Sequence, residues 1–173
     1  VIFEVHKGGD KNNDLFLTEV MVRPIDSGPE WIEIYNPNDF ALSLYGWSLN
    51  HTYASTSNNL LFKEGIISGH STIILSGDAT SQDLGNASQV IDLSQESFLG
   101  VGSINLLNDG QGELTLRYTQ LNSVKSYDVM DVKWGGSSSL FTSLGQSLEA
   151  DQIDGGFSAN WSVQSNPTPG DYL

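Results

Sequence analysis

The chain has 173 residues, of which 38% are hydrophobic, 18 are glycine and none is cysteine, and its 21 acidic and 7 basic side chains give a formal charge of -14. This size and apolar content favour one folded domain over a disordered chain. The missing cysteines exclude a disulfide framework, a thiolate metal site and a thiol nucleophile. The negative charge disfavours phosphate backbones and anionic lipids as partners, although it is also typical of a surface that only maintains solubility.

The beginning of the chain is predicted to be separate from the main domain. Residues 1–13 are either a linker, because their second half is rich in glycine and asparagine, or an edge strand built on Ile2, Phe3 and Val5. The single domain is expected to occupy residues 14–173. No stretch reaches the roughly 20 apolar residues that span a bilayer, so membrane insertion is not expected.

A calcium site near the beginning of the chain is a weak alternative. Asp10, Asn12 and Asp14 alternate as oxygen side chains do at the start of a calcium loop. Leu15 stands where such a loop needs glycine, however, and Met21 stands where it needs a bidentate acid. A solvated linker is therefore the preferred interpretation, and neither a metal nor another cofactor is expected.

Alternating apolar and polar residues predict β-strands along the whole chain, with short glycine- and asparagine-rich turns between them. About eight strands are expected, and helix is limited to a turn near residues 147–149. The tail at 151–173 is predicted to lie across the domain, held there by Trp161. The predicted strands are 15–23, 30–35, 42–49 with a kink at Gly46, 71–76, 90–93, 98–107, 113–119 and 124–134.

The strand at 30–35 indicates how the strands are layered. Trp31, Glu33 and Tyr35 share one of its faces. Ile32 and Ile34 share the other, so both faces carry large side chains that favour burial. A second layer would supply that cover, and the fold class predicted is an all-β sandwich.

Three groups of short motifs occur in order along the chain. The first is FLTEV at 16–20 followed by EWIEIYNP at 30–37, the second is LYGWSL at 44–49, and the third is GQSLE at 145–149 with NWS at 160–162 and TPG at 168–170. Together they resemble the lamin tail domain as it occurs in bacterial exported proteins. Ala150 departs from that pattern, which usually continues with arginine.

The resemblance implies an immunoglobulin-like β-sandwich without an active site, found beside nucleases, proteases and other domains of exported proteins. The function it indicates is a non-catalytic interaction or anchoring module of a larger secreted or surface bacterial protein. The expected location is extracellular or at the cell surface. The expected partners are neighbouring domains of the parent protein, a surface protein or a polysaccharide. Nucleic acid binding by this domain alone is not expected.

The residues shared with that family also have a structural interpretation. Tryptophan buries a large area, a glycine without a side chain relieves backbone crowding, and an asparagine before Pro37 bonds its local backbone. The residues assigned a structural role in this way are Trp31, Asn36, Gly46, Trp47, Trp161 and Gly170.

The sequence carries few signs of catalysis. His6, His51 and His70 have no spacing that would place two imidazoles on one metal, and they are interpreted as surface or turn residues. The G-x-S-x-G elbow of hydrolases and the phosphate-binding loop of nucleotide-binding proteins are both absent.

Two alternative functions remain open. A carbohydrate-binding sandwich would use Tyr45, Tyr53 or Trp134 to stack on sugar rings, and an exposed row of aromatic side chains would favour it. A β-sandwich hydrolase would need two carboxylates that converge in a cleft. The candidate pairs are Asp128 with Asp131 and Asp151 with Asp154.

Overall fold

The computed structural model describes residues 15–26, 28–80, 84–85, 87, 89–93, 107–120, 125–153 and 156–171. The predicted linker or edge strand at 1–13 lies outside these residues. So do the candidate calcium ligands Asp10, Asn12 and Asp14 and most of the strand predicted at 98–107.

The described residues form twelve β-strands and no α-helix. In this part of the chain no helix has the length and apolar character needed to cross a membrane. The strands are β1 Phe16–Met21, β2 Trp31–Asn36, β3 Leu42–Ser43, β4 Trp47–Tyr53, β5 Thr56–Leu61, β6 Ile66–Ile67, β7 Ser71–Ser76, β8 Gln89–Asp92, β9 Gln111–Thr119, β10 Ser126–Gly135, β11 Ser147–Ile153 and β12 Gly156–Gln164.

The strands are arranged in two main sheets. One sheet has six strands in the order β12-β11-β1-β2-β7-β8, and the other has four in the order β10-β9-β4-β5. A short β3-β6 pair stands beside them. The pairing of β7 with β8 is parallel, whereas β2 pairs with β1 and with β7 in antiparallel fashion. The all-β immunoglobulin-like sandwich predicted from the sequence is confirmed.

The main hydrophobic core draws on both sheets. Ile32 and Ile34 of β2 are fully buried in it, together with Leu49 of β4 and Leu116 of β9. On the opposite face of β2, Trp31 belongs to a smaller apolar cluster. Both faces of this strand are therefore covered, as its sequence pattern predicted.

The end of the chain differs from the prediction. The helical turn predicted near 147–149 is wrong, because these residues open β11, which pairs with β1 and aligns Leu148 with Val20. The tail lies across the sandwich only at residues 168–170, which bond to Glu19 of β1 and Glu33 of β2. Residues 156–164 instead form β12, which pairs with β11 at the edge of the six-stranded sheet. Trp161 is half-buried there, and its Nε1–H donates to the backbone oxygen of Asp131 in β10 at 2.9 Å.

The strand count was also too low. The prediction of one kinked strand at 42–49 becomes β3 and β4, separated by a turn in which Gly46 has a φ of 90°. Glycine tolerates this left-handed conformation without steric cost. The polar hairpin strand β5 and the two-residue β6 lack an apolar alternation, so the sequence pattern did not reveal them.

Candidate functional site

The Asn36 side chain connects three parts of the backbone at the end of β2. Its Oδ1 accepts from the backbone N–H of Asn38 at 3.1 Å. Its Nδ2 lies 2.9 Å from the oxygen of Phe40, 3.1 Å from that of Ile67 and 3.0 Å from that of Ser68. The amide has two N–H groups for these three carbonyl oxygens, so at least one N–H group bonds to two of the oxygens. Asn36 thus ties its own turn to the segment after β6.

Replacing Asn36 with alanine is expected to lower the free energy of unfolding by about 2–3 kcal/mol, because buried backbone groups would lose their partner. Urea denaturation measures the change. Asn50→Ala is the matched control, since Asn50 makes only long hydrogen bonds to Ser57, at 3.3 and 3.4 Å, and is partly exposed. A loss at Asn36 no larger than the control's would contradict the assigned role.

Three glutamates form a row across the six-stranded sheet. Glu19 of β1 is aligned with Glu149 of β11 on one side and with Glu33 of β2 on the other. Glu19 and Glu33 are completely buried, whereas Glu149 is half-buried. Beyond Glu33 the row continues with Ile74, which belongs to the smaller apolar cluster. The row therefore lies on the outer face of the sheet, away from the main core.

Residues 168–170 close over this row. The backbone N–H of Thr168 donates to both carboxyl oxygens of Glu19, at 3.3 and 3.2 Å. The backbone N–H of Gly170 donates to Glu33 at 2.6 Å. On the sheet side, the Ser147 hydroxyl contacts Glu19 at 2.5 Å and the Thr18 hydroxyl contacts Glu33 at 2.5 Å. The two carboxyls join the TPG motif to the sheet.

Two glycines allow the turn to sit so close. Gly170 has a φ of 82°, in the left-handed region where glycine is tolerated. Gly85 supports the turn from outside, since a Cβ built on it would lie 1.7 Å from the backbone oxygen of Pro169. The TPG motif predicts a structural role for Gly170 but carries no sign of its contact with Glu33.

Burial changes the acidity of both carboxyls. It raises the pKa of Glu19 to about 7, against the opposing hydrogen bonds from Ser147 and Thr168. Burial likewise raises the pKa of Glu33 to about 7, against the bonds from Thr18 and Gly170. The two glutamates also repel each other, so their titrations are coupled. The backbone N–H donors favour the ionised form, but desolvation outweighs them.

A separate groove lies where the β4–β5 hairpin meets the β9–β10 pair. It has a volume of about 650 Å³, and its lining includes Tyr53, Gln111, Glu113, Lys133, Trp134 and Ser138. Lys133 Nζ is 3.1 Å from Glu113 Oε1, across the two strands. Gly135 packs tightly against the backbone at Gly110, since a Cβ built on Gly135 would lie 1.9 Å from the oxygen of Gly110.

Three stacked rings run from the groove into the core. The His51 ring lies 5.1 Å from that of Tyr53 and 5.7 Å from that of Trp134, with angles of 28° and 8° between the planes. Tyr53 is half-buried, while His51 and Trp134 are buried. Burial lowers the pKa of His51 to about 4, so its ring is neutral at pH 7. Among the described residues, neither of its ring nitrogens has a hydrogen-bond partner.

These positions correct two interpretations of the sequence. His51 is not a surface or turn residue, because it faces inward from the middle of β4 with no exposed area. Trp134 is not a surface platform for a sugar, because it is 2% exposed and its Nε1–H donates to the oxygen of Asn108 at 2.8 Å. Tyr45 is 53% exposed but does not line the groove.

Of the candidate hydrolase carboxylates, Asp128 and Asp131 lie close to basic side chains, and Asp154 lies outside the described residues. Asp128 Oδ1 lies 2.5 Å from Nε of Arg117, and Asp131 lies 4.0 Å from Nζ of Lys133. Across the described residues, no three histidine, aspartate or glutamate side chains are placed to hold a metal ion.

Comparison with known families gives one match. The family model of the Lamin Tail Domain matches residues 3–130. This range includes the motifs at 16–20, 30–37 and 44–49, while those from 145 onward lie beyond it. A search of curated proteins finds no match. The family consists of immunoglobulin-like domains that are generally non-catalytic interaction modules. Since the match covers well over half of the chain, and since the fold agrees with it, the chain belongs to the lamin tail domain family.

Proposed function

We propose that this domain is a non-catalytic anchoring module of a larger secreted or surface bacterial protein. It would hold its parent protein to a neighbouring domain, a surface protein or a polysaccharide outside the cell. Membership of a family of interaction modules supports this proposal. No cofactor or calcium ion is required for it.

One observation carries the proposal: the open groove is separate from the buried carboxyls, which are already bonded within the fold. Glu19 and Glu33 accept hydrogen bonds from backbone N–H groups of residues 168–170, here called the C-terminal turn, which gives the two carboxyls a structural role. The groove, in contrast, presents an accessible mixture of aromatic, hydroxyl, amide and charged groups around Tyr53. Such a surface is suited to binding without chemical conversion of the ligand.

The experiment is a retention assay with a fluorescent fusion. The domain fused to a fluorescent protein is incubated with bacterial cell envelopes, and the bound fraction is measured after washing. We expect the fusion to be retained in a saturable manner, whereas the fluorescent protein without the domain is washed away. Equal retention of the two proteins would refute an anchoring function on that surface.

We expect neither binding nor cleavage of nucleic acid by the isolated domain at physiological salt. Non-specific DNA affinity comes mostly from clustered lysine and arginine. Here Arg117 is paired with Asp128 and Lys133 with Glu113, in a chain of charge -14. A salt titration with duplex and single-stranded DNA, together with a nuclease assay in magnesium, measures both. Micromolar binding at about 0.15 M salt that weakens steeply as salt rises would contradict the expectation.

A further inference from the structure

We propose that the groove beside Tyr53 binds a neutral saccharide. The proposal rests on the proposed function, because it names a ligand class for the anchoring module. The groove, defined by Tyr53, Gln111, Glu113, Lys133, Trp134 and Ser138, combines an aromatic side chain with polar groups that both donate and accept hydrogen bonds.

Tyr53 supplies the aromatic surface. It is the last residue of β4, it is half-buried, and it lines the groove. Its ring stacks on His51, which in turn stacks on Trp134, so the tyrosine is held from behind by buried rings. An aromatic ring fixed in this way offers apolar contact area at little cost in side-chain entropy. The aliphatic faces of sugar rings need such a surface.

The polar groups of the groove suit hydroxyl ligands. Glu113 can accept hydrogen bonds and Lys133 can donate them, and their 3.1 Å ion pair fixes both across the strands. Gln111 adds an amide that can do both. Ser138 is held in place because its hydroxyl donates to the backbone oxygen of Lys133 at 2.9 Å. The same hydroxyl accepts from the backbone N–H of Leu140 at 3.1 Å, so Ser138 shapes the wall of the groove. A sugar hydroxyl also donates and accepts, so it can pair with Glu113, Lys133 and Gln111.

The charges select against ionic ligands. Lys133 lies 3.1 Å from Glu113 and 4.0 Å from Asp131, so its charge is already compensated inside the groove. Among the described residues that line the groove, an anionic saccharide would find no unpaired cation, and it would be repelled by a chain of charge -14. The volume of about 650 Å³ lies within the range of sites for organic ligands and is larger than one ion needs. A neutral oligosaccharide satisfies these conditions.

Affinity electrophoresis tests the assignment. The domain migrates through native gels that contain soluble β-glucan, xylan or galactomannan, and through gels that contain anionic polygalacturonate. We expect at least one neutral polysaccharide to retard the wild-type domain, and polygalacturonate to leave its mobility unchanged. Tyr53→Ala should weaken the interaction about tenfold or more, because the stacking surface is lost.

Two further variants make the result specific to the groove. Tyr53→Phe keeps the aromatic ring, and its affinity should stay within a few-fold of that of the wild type. This variant tests the role of the ring even if Tyr53→Ala does not fold. Tyr45→Ala removes an aromatic side chain that is 53% exposed outside the groove, and it should bind as the wild type does. Circular dichroism of each variant verifies that it is folded.

The outcomes separate this proposal from the anchoring function. Absence of retardation by all three neutral polysaccharides overturns the saccharide assignment, and so does stronger retardation by polygalacturonate. Retardation that persists unchanged in folded Tyr53→Ala overturns the site. If the domain is retained on envelopes but gives any of these three results, it is still an anchor, with a different ligand or a different binding surface. A domain that binds neutral polysaccharide through Tyr53 but is not retained on envelopes has the saccharide site without the proposed anchoring role.

Discussion

Replacing Trp47 with alanine is expected to lower the free energy of unfolding by about 3–5 kcal/mol, the usual cost of emptying a large aromatic site in a core. Trp47 is 1% exposed and belongs to the main core. Its ring lies 5.1 Å from that of Tyr118 in the neighbouring strand β9. Alanine would leave a cavity in the main core beside Tyr118, which the surrounding side chains can fill only partly. Urea denaturation followed by circular dichroism measures the loss.

The control lies two residues earlier in the chain. Tyr45 is 53% exposed, so Tyr45→Ala should change stability by no more than about 0.5 kcal/mol. The dependence of the unfolding free energy on urea should stay the same in both variants, because the folded state remains compact. A loss below about 1 kcal/mol for Trp47→Ala would mean that the tryptophan is accessible and does not support the core.

The sequence predicts best the strands in which apolar and polar residues alternate regularly. The strand at 71–76 was predicted with the bounds that the structure gives it, and Leu114, Leu116 and Tyr118 of β9 are buried as their spacing indicated. In such segments a period of two brings all apolar side chains to one face, and local pattern and tertiary burial agree. The order of the family motifs then indicated how these strands are assembled.

The sequence did not reveal β11, because its stability comes from pairing with a distant strand. Between Ser147 and Ala150 the segment offers too few apolar positions to distinguish a strand from a turn. In the fold, Leu148 lies opposite Val20, which is more than a hundred residues away in the chain. Pairing with β1 and β12 supplies the hydrogen bonds that settle its conformation.

The buried glutamates were missed for a related reason. Charged residues in a strand usually face water, and the alternation in 30–35 predicts only that Glu33 shares one face with Trp31 and Tyr35. A signal was nevertheless present: Glu33 shares its face with Trp31, which is itself buried. The partners of the carboxyls, at Thr168 and Gly170, are more than a hundred residues away, and local pattern carries no information about them.

The groove was partly anticipated. Tyr53 and Trp134 were both named as candidates for sugar stacking, and the fold brings them to one groove. The sequence could not tell that His51 would lie between them, or that Trp134 would be covered. Which face of a strand is accessible at its end depends on the loops that pack there, such as the turn at Asn108 that accepts the Trp134 N–H.

The buried carboxyls should make the domain less stable as pH rises. In the unfolded chain these glutamates titrate near their ordinary value of 4.5, whereas in the fold the pKa of Glu19 and that of Glu33 are each about 7. Between these values the folded state holds more protons than the unfolded state, so the free energy of unfolding falls as pH increases. The contribution is fully present below about pH 4.5 and is lost as pH rises through about 7.

His51 has the opposite effect on the pH dependence of stability over part of this range. Its pKa is lowered from 6.5 to about 4 by burial, so the unfolded chain binds more protons at this residue between those values. Its contribution to stability therefore falls as pH decreases from 6.5 to 4. The stability profile of the wild type alone would combine the two effects. A comparison with a variant that lacks the titrating carboxyls separates them.

We therefore expect the Glu19→Gln/Glu33→Gln double variant to lose the carboxyl contribution. A rise in the pKa of one carboxyl from about 4.5 to about 7 corresponds to about 3 kcal/mol of stability at low pH. Between pH 5 and pH 8 the wild type should lose about 4–5 kcal/mol more stability than the double variant does, about half of it from each carboxyl. Urea denaturation at several pH values gives this difference directly.

The absolute stability of the double variant does not decide the result, because a glutamine amide accepts from Thr168 and Gly170 less well than a carboxylate does. Glutamine does not titrate, so the difference between the two pH profiles reports the buried carboxyls. Glu64→Gln is the control, since Glu64 is exposed in the loop before β6, and it should follow the wild-type profile. If the wild type and the double variant change in parallel from pH 5 to pH 8, the two carboxyls are ionised throughout. In that case the N–H groups of the C-terminal turn, rather than burial, set their charge.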